Sequence, residues 1–158
     1  MSARVAWEPT SHAASDLAGF FLGSWQLTRR GWGCGPGSCM RLSGTARFFP
    51  LDGALLFEER GVMTLGGYLG EAIRRYVFRF TDAGTALVSF EDGRPFHHLE
   101  LRNGSACVRH DCEPDLYEGR YRLLGPDQWL LSWRITGPRK QQLITSRYRR
   151  KAQPGRIV

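Results

Sequence analysis

The sequence predicts an all-β protein, a single antiparallel up-and-down β-barrel of about 8–10 strands with a short N-terminal helix. Three observations predict it. Segments rich in β-branched and aromatic residues recur with turn signals every 8–12 residues or so, a spacing typical of antiparallel barrels and sandwiches. Only the N-terminal part reads as a helix. Hairpin-linked strands in such number also leave two sheet edges exposed, and closing the sheet on itself removes them.

In chain order, residues 1–14 are expected to be a loose lead. Ser15-Asp16 can cap a short helix through Leu17-Ala18-Gly19-Phe20-Phe21-Leu22. Gly23-Ser24-Trp25 opens a first strand that runs to Arg30, and the Gly- and Pro-rich stretch from Gly31 to Ser38 is a loop. Strands are then expected over 43–49, 54–60, 72–80, 86–91, 95–102, 105–112, 117–124, 128–136 and 141–150. Residues 15–151 thus form one barrel domain, followed by a flexible tail over 152–158.

The chain has 158 residues, enough to bury a core without disulfide staples. Its apolar and charged fractions, 42% and 23%, are those of a globular protein rather than a disordered one. No apolar run is long enough to span a bilayer as a helix, and the first residues carry no apolar signal core, so a cytoplasmic protein with no membrane partner is expected. Its four cysteines are then expected as thiols, although Cys34 and Cys39, flanking Gly35-Pro36-Gly37-Ser38, have the spacing of a loop disulfide. The net charge of +7 and the basic run Arg147, Arg149, Arg150 and Lys151 admit a nucleic-acid partner, but no nucleic-acid motif is present and a solvated last strand accounts for the run. Oligomeric state is left open.

The stretch from Pro95 to Cys112 carries the chemistry. Asn103-Gly104 has the composition of a type I′ hairpin turn. With that turn, Leu101 pairs with Ala106, Leu99 with Val108 and His97 with His110. Alternation puts both imidazoles and the Cys112 thiol on the apolar face. Opposed β residues have Cβ atoms about 4.5–5.5 Å apart, so the two rings can share one ligand. With Asp115 nearby, His97, His110 and Cys112 are candidate ligands for Zn²⁺ or another transition metal. The alternative is a buried polar network of His97, His110 and Tyr117 that orients a small molecule. Arg94, Arg139 and Lys140 supply a basic rim for a carboxylate or phosphate, and Trp133 is a candidate for the apolar wall.

Gly23-Ser24-Trp25 resembles the Gly-x-Trp signature of the lipocalin and calycin superfamily. The resemblance implies that Trp25 closes the barrel base and that an arginine of the last strand, Arg147 or Arg149, packs over it. A wider set of motifs resembles one uncharacterised calycin-like family of unknown function. These are Phe21-Leu22-Gly23-Ser24-Trp25, Asp92-Gly93-Arg94-Pro95-Phe96-His97, His110-x-Cys112-x-x-Asp115-x-Tyr117-x-Gly119 and Gly137-Pro138-Arg139-Lys140. Where that family's pattern continues with Asp-Tyr, this chain has Gln141-Gln142.

The reading that follows is a small-molecule-binding barrel. Its ligand is partly apolar and anionic, held in the interior near His97 and His110 by Arg94, Cys112, Asp115, Tyr117, Trp133, Arg139 and Lys140. The alternative is a small enzyme, with or without a metal, that uses His97, His110 and Tyr117 for proton transfer. A basic nucleic-acid-interacting module is the remote third.

Overall fold

The computed structural model describes residues 12–33 and 39–152. One short helix, α1 (Leu17–Phe21), precedes ten strands. They are β1 (Gly23–Trp32), β2 (Met40–Leu51), β3 (Ala54–Leu65), β4 (Tyr68–Asp82), β5 (Thr85–Phe90), β6 (Pro95–Glu100), β7 (Ser105–Cys112), β8 (Asp115–Gly125), β9 (Gln128–Thr136) and β10 (Gln141–Arg150). All form one antiparallel sheet in the order β6-β5-β4-β3-β2-β1-β10-β9-β8-β7. The meander joins its first strand to its last: β1 pairs with both β2 and β10. The sheet curls into a nearly closed barrel whose two edge strands, β6 and β7, meet at a seam.

Burial alternates along each strand, as a barrel with one dry face requires. In β1, Trp25, Leu27 and Arg29 are buried while Gln26, Thr28 and Arg30 are exposed. In β9, Trp129, Leu131, Trp133 and Ile135 point inward. Curvature is helped where β2 and β3 cross. Gly44 and Gly61 stand opposite each other in register, and a Cβ on Gly44 would run into the Arg60 carbonyl. Only hydrogen side chains let the two backbones come this close.

One barrel end is plugged. Asp16 is the N-cap of α1 by backbone conformation, but its side chain makes no capping bond. The helix is held instead by Leu17 and Phe21, both fully buried, and by the Trp25 indole N–H donating to the Phe21 carbonyl at 2.9 Å. Trp25 is fully buried, and the arginine over it is Arg150, 4.2 Å from guanidinium carbon to ring centroid. Arg147 and Arg149 face outward. The reason is parity: Trp25 is in register with Arg150, and Ser146, Tyr148 and Arg150 share the inner face of β10. Arg150 also donates to the Phe20, Leu22 and Pro126 carbonyls and to Asp127, tying helix, last strand and the β8–β9 turn together. Gly23, at φ 116°, occupies backbone space that disfavours a side chain, and a Cβ there would lie 3.8 Å from the same guanidinium.

The β6–β7 connection differs from the expected hairpin. Asn103 does not have positive φ; Gly104 alone does, at 82°, and its N–H donates to the Leu101 carbonyl at 3.0 Å. A type I′ turn needs positive φ at both central residues, so this is a different tight turn. Its ends are drawn apart, because Leu101 N–H donates to the Gly84 carbonyl and Gly104 accepts from Leu123 N–H. β6 therefore ladders with β5, and β7 with β8, leaving no β6–β7 register. The Cys34–Cys39 pairing expectation lies outside the described residues, since Cys34 is not among them.

Candidate functional site

The site lies at the barrel end opposite α1, on the inner side of the seam. Its geometry begins with a bulge. β5 and β6 pair Val88 with His97 and then Ser89 with Pro95, so Phe96 is the extra residue. A bulge breaks strict alternation, and Phe96 and His97 both turn inward. Phe96 stacks on three rings: Phe90 at 4.7 Å, Tyr76 at 5.2 Å and Trp133 at 5.3 Å between centroids. His110, from β7, meets Phe96 edge-on at 5.0 Å, and Tyr117, from β8, meets His110 at 6.1 Å. Tyr76, Phe90, Phe96, His110 and Tyr117 are all half-buried, so this aromatic cage is open to solvent on one side.

The histidines occupy two levels of it. His97 is buried, and its ring bridges the His98 carbonyl through Nδ1 (3.3 Å) and the Tyr121 hydroxyl through Nε2 (3.1 Å). A carbonyl only accepts, so Nδ1 carries the proton and the Tyr121 O–H donates to Nε2. Burial pushes the His97 pKa down from 6.5 to about 4, and the nearby His110 and His98 push the same way against the His98 carbonyl bond. Burial likewise raises the Tyr121 hydroxyl well above its ordinary range, so it keeps its proton. His110 donates Nδ1–H to the Phe96 carbonyl across the seam at 2.9 Å. Its Nε2 has no hydrogen-bond partner among the described residues.

Below the cage sits a buried ionic network whose charged members were not singled out in the sequence. Arg29 donates to Ser146 Oγ (2.6 Å), to Glu59 Oε2 (2.6 Å) and to the Tyr148 hydroxyl (3.2 Å), while Tyr148 donates to the same Glu59 oxygen (2.6 Å). Burial, the strongest single influence, works against the Arg29 charge, but Glu59 and Tyr148 outweigh it and the guanidinium stays firmly protonated. The signal was present in the pattern. Arg29 and Glu59 fall at inward positions, two residues beyond Leu27 and Phe57. A charge on the dry face of a strand has to find its opposite there. Between network and cage is a gap of about 20 Å³, lined by Tyr76, Phe96, Tyr121, Trp129 and Trp133 among others. That volume fits about one water molecule and no larger ligand. Trp129, whose buried indole N–H has no hydrogen-bond partner among the described residues, is part of that lining.

The remaining candidates are dispersed around the rim. Cys112 is exposed, because the last residues of β7 run past the barrel edge. Asp115 forms an ion pair with Lys140 at 3.4 Å, and Arg94 is bound to Asp92 at 2.7 Å, so these charges are largely matched internally. Arg139 is exposed on the β9–β10 turn. Among the described residues, no group of three or more His, Cys, Asp or Glu side chains is placed to hold a metal ion. His97 and His110 share the inner face with Tyr117 and Trp133, and Arg94 reaches the cage from the rim, its guanidinium carbon 5.3 Å from the Phe90 ring centroid, whereas Cys112, Arg139 and Lys140 do not join them. A cation sequence reading passed over is Arg74, which lines the inner gap and makes no salt bridge among the described residues.

Comparison with known proteins adds a family and a fold. The model of a family of unknown function, DUF6314, matches residues 21–150. No curated protein matches the chain. Among solved structures, the S-type phycobiliprotein lyase CPES from Guillardia theta is similar over 86% of this chain and 91% of its own, at TM-score 0.60 and 9% identity. A protein of unknown function from the DUF3598 family of Nostoc punctiforme is similar at TM-score 0.61 and 14% identity. This chain is covered over 92% and spans about half of that one, 53%. At such identities the likeness is one of fold, and the shared fold is a barrel.

Proposed function

The chain belongs to the DUF6314 family, whose function is open, and from that premise we propose that it is a small-molecule-binding barrel. The ligand is planar and partly apolar, and it seats at the open end against the aromatic cage. The observation that carries this reading is the bulge that turns both Phe96 and His97 inward. It assembles the half-buried Tyr76, Phe90 and Phe96 over the buried Trp133 as one stack beside two imidazoles. Aromatic surface left half-wet, with a few oriented polar groups, is the usual makeup of a ligand seat.

Each polar group then has a role. The open Nε2 of His110 accepts from a ligand hydroxyl or N–H, and Tyr117 flanks it. Arg74 supplies the countercharge for an anionic substituent. His97 stays neutral at pH 7, because its pKa is held near 4. This favours an orienting role over proton donation. The gap beneath the cage, about 20 Å³ among the described residues, is too small for the ligand and supports a seat at the inner rim above it.

The test is a fluorescence titration with 1-anilinonaphthalene-8-sulfonate, a flat, partly apolar anion. The expected result is saturable binding of one molecule per chain, weakened at least tenfold in Phe96→Ala and Trp133→Ala. Binding that does not saturate, or that survives both substitutions, would overturn the reading.

A further inference from the structure

The outer surface of the barrel is electrostatically two-sided. On the outside of β3–β6 the arginines are matched to carboxylates with the exception of Arg79: Arg60 to Glu58 and Glu71, Arg75 to Glu58 and Glu91, and Arg102, just past β6, to Asp82 and Glu100. The outside of β2-β1-β10-β9-β8 is different. Arg41, Arg30, Arg147, Arg149, Arg134 and Arg120 all point outward there, and none forms a salt bridge among the described residues. They come from five neighbouring strands, and Arg30 stands directly opposite Arg41. Like charges opposed across strands destabilise a sheet, so a face built this way carries a cost that an anionic partner removes.

The same face is hollowed. One depression of about 670 Å³ is lined by Arg109, Arg120, Arg122, Arg134 and Leu130; Glu118 is its one carboxylate among the described residues. A second, of about 560 Å³, is lined by Arg30, Arg41, Arg147, Thr28, Trp32 and Leu130, and a third, of about 400 Å³, by Arg134, Leu143 and Trp32. Shared lining residues join the three: Leu130 links the first to the second, and Trp32 the second to the third. The Trp32 ring is 46% exposed, a large apolar platform among the guanidiniums.

We propose that this face binds single-stranded nucleic acid, its phosphates on the arginines and its bases on Trp32 and the Leu130–Leu143 strip. The guanidinium fork matches phosphate bidentately, and the face is made of arginine, not lysine. Thr28, Ser43 and Thr145 add hydroxyls that can bond sugar and phosphate oxygens. Interleaved cations and an aromatic platform are how sequence-tolerant single-strand binders work. A bilayer fits less well, because a charged plane cannot follow a groove inward to Leu130. The proposal is independent of the small-molecule reading, since the cage lies on the inner side of the wall.

The experiment is fluorescence anisotropy of a labelled 20-nucleotide oligothymidylate. At about 50 mM salt, saturable binding is expected. With about five phosphates neutralised, log affinity should fall with log salt at a slope near −3.5. Arg30→Gln/Arg147→Gln should weaken binding at least tenfold, and Arg120→Gln/Arg134→Gln, in the adjoining hollow, should do the same. Trp32→Ala should lose roughly fivefold without changing the salt slope. Arg60→Gln/Arg79→Gln, an equal loss of charge on the other side, should change little. All replaced arginines are exposed, and thermal melting checks that each variant is folded. Absence of saturable binding, equal loss in Arg60→Gln/Arg79→Gln and the other double variants, or binding to phosphatidylserine vesicles without binding to the oligonucleotide would each overturn the proposal.

Discussion

Replacing His97 with glutamine should flatten the acid side of the stability curve. His97 is 8% exposed and its folded pKa is about 4, against an ordinary value of 6.5. The folded state thus resists protonation and the unfolded chain does not. Stability from this residue is fully present above pH 6.5. It declines as pH falls through that value and is lost by about pH 4, where both states carry the proton. Over the full window the loss is about 3 kcal/mol, and between pH 7.5 and pH 5 it is about 2 kcal/mol. The assay is urea unfolding of wild type and His97→Gln at several pH values across that range. Other groups titrate in both proteins, so the difference between the two curves isolates His97. The wild type should lose about 2 kcal/mol more than the variant between pH 7.5 and pH 5. Equal losses would refute the buried, neutral imidazole and with it the assigned bond from Tyr121.

Other perturbations test the frame around the site. Trp25→Ala should cost about 3–5 kcal/mol in chemical unfolding, as large core truncations do. Arg147→Ala and Arg149→Ala, on the outer face, should change stability by less than about 0.5 kcal/mol. Glu59→Leu should cost about 3–5 kcal/mol by leaving Arg29 buried without its carboxylate, and adding Arg29→Met should recover most of it. Gly44→Ala should cost more than about 2 kcal/mol, because its new methyl meets the Arg60 carbonyl and the strands must separate.

Much of the fold was readable because strand alternation and turn chemistry are local. The helix at Leu17–Phe21 and ten strands followed from them, although β3 runs on to Leu65 and β4 starts at Tyr68, beyond their expected bounds; the buried Trp25 followed from the Gly-x-Trp resemblance. What failed was what depends on closure. Asn103-Gly104 has hairpin composition, yet the turn bonds to β8 and to Gly84, because a closing barrel must place a seam somewhere. His97 and His110 still face inward without that register, since side-chain direction belongs to each strand separately. Phe96 joins them only through a bulge, which the sequence around Pro95 does not signal. Arg147 or Arg149 was expected over Trp25, but parity puts Arg150 there, and Tyr148, an inward aromatic two residues away, was the available clue. The basic outer face was hidden because its arginines are far apart in the chain and adjacent only in the sheet.

The seat at the open end is the central claim, and chemical-shift mapping with 2-naphthoate, a flat aromatic carboxylate, tests it most directly. In ¹⁵N- and ¹³C-labelled protein, titration should move the ring signals of His110, Phe96 and Tyr117 and the Trp133 indole N–H along saturating curves. Signals from α1 and the Trp25 indole, at the plugged end, should stay in place. Shifts centred on Trp25, or no saturable shift at the cage, would contradict the account.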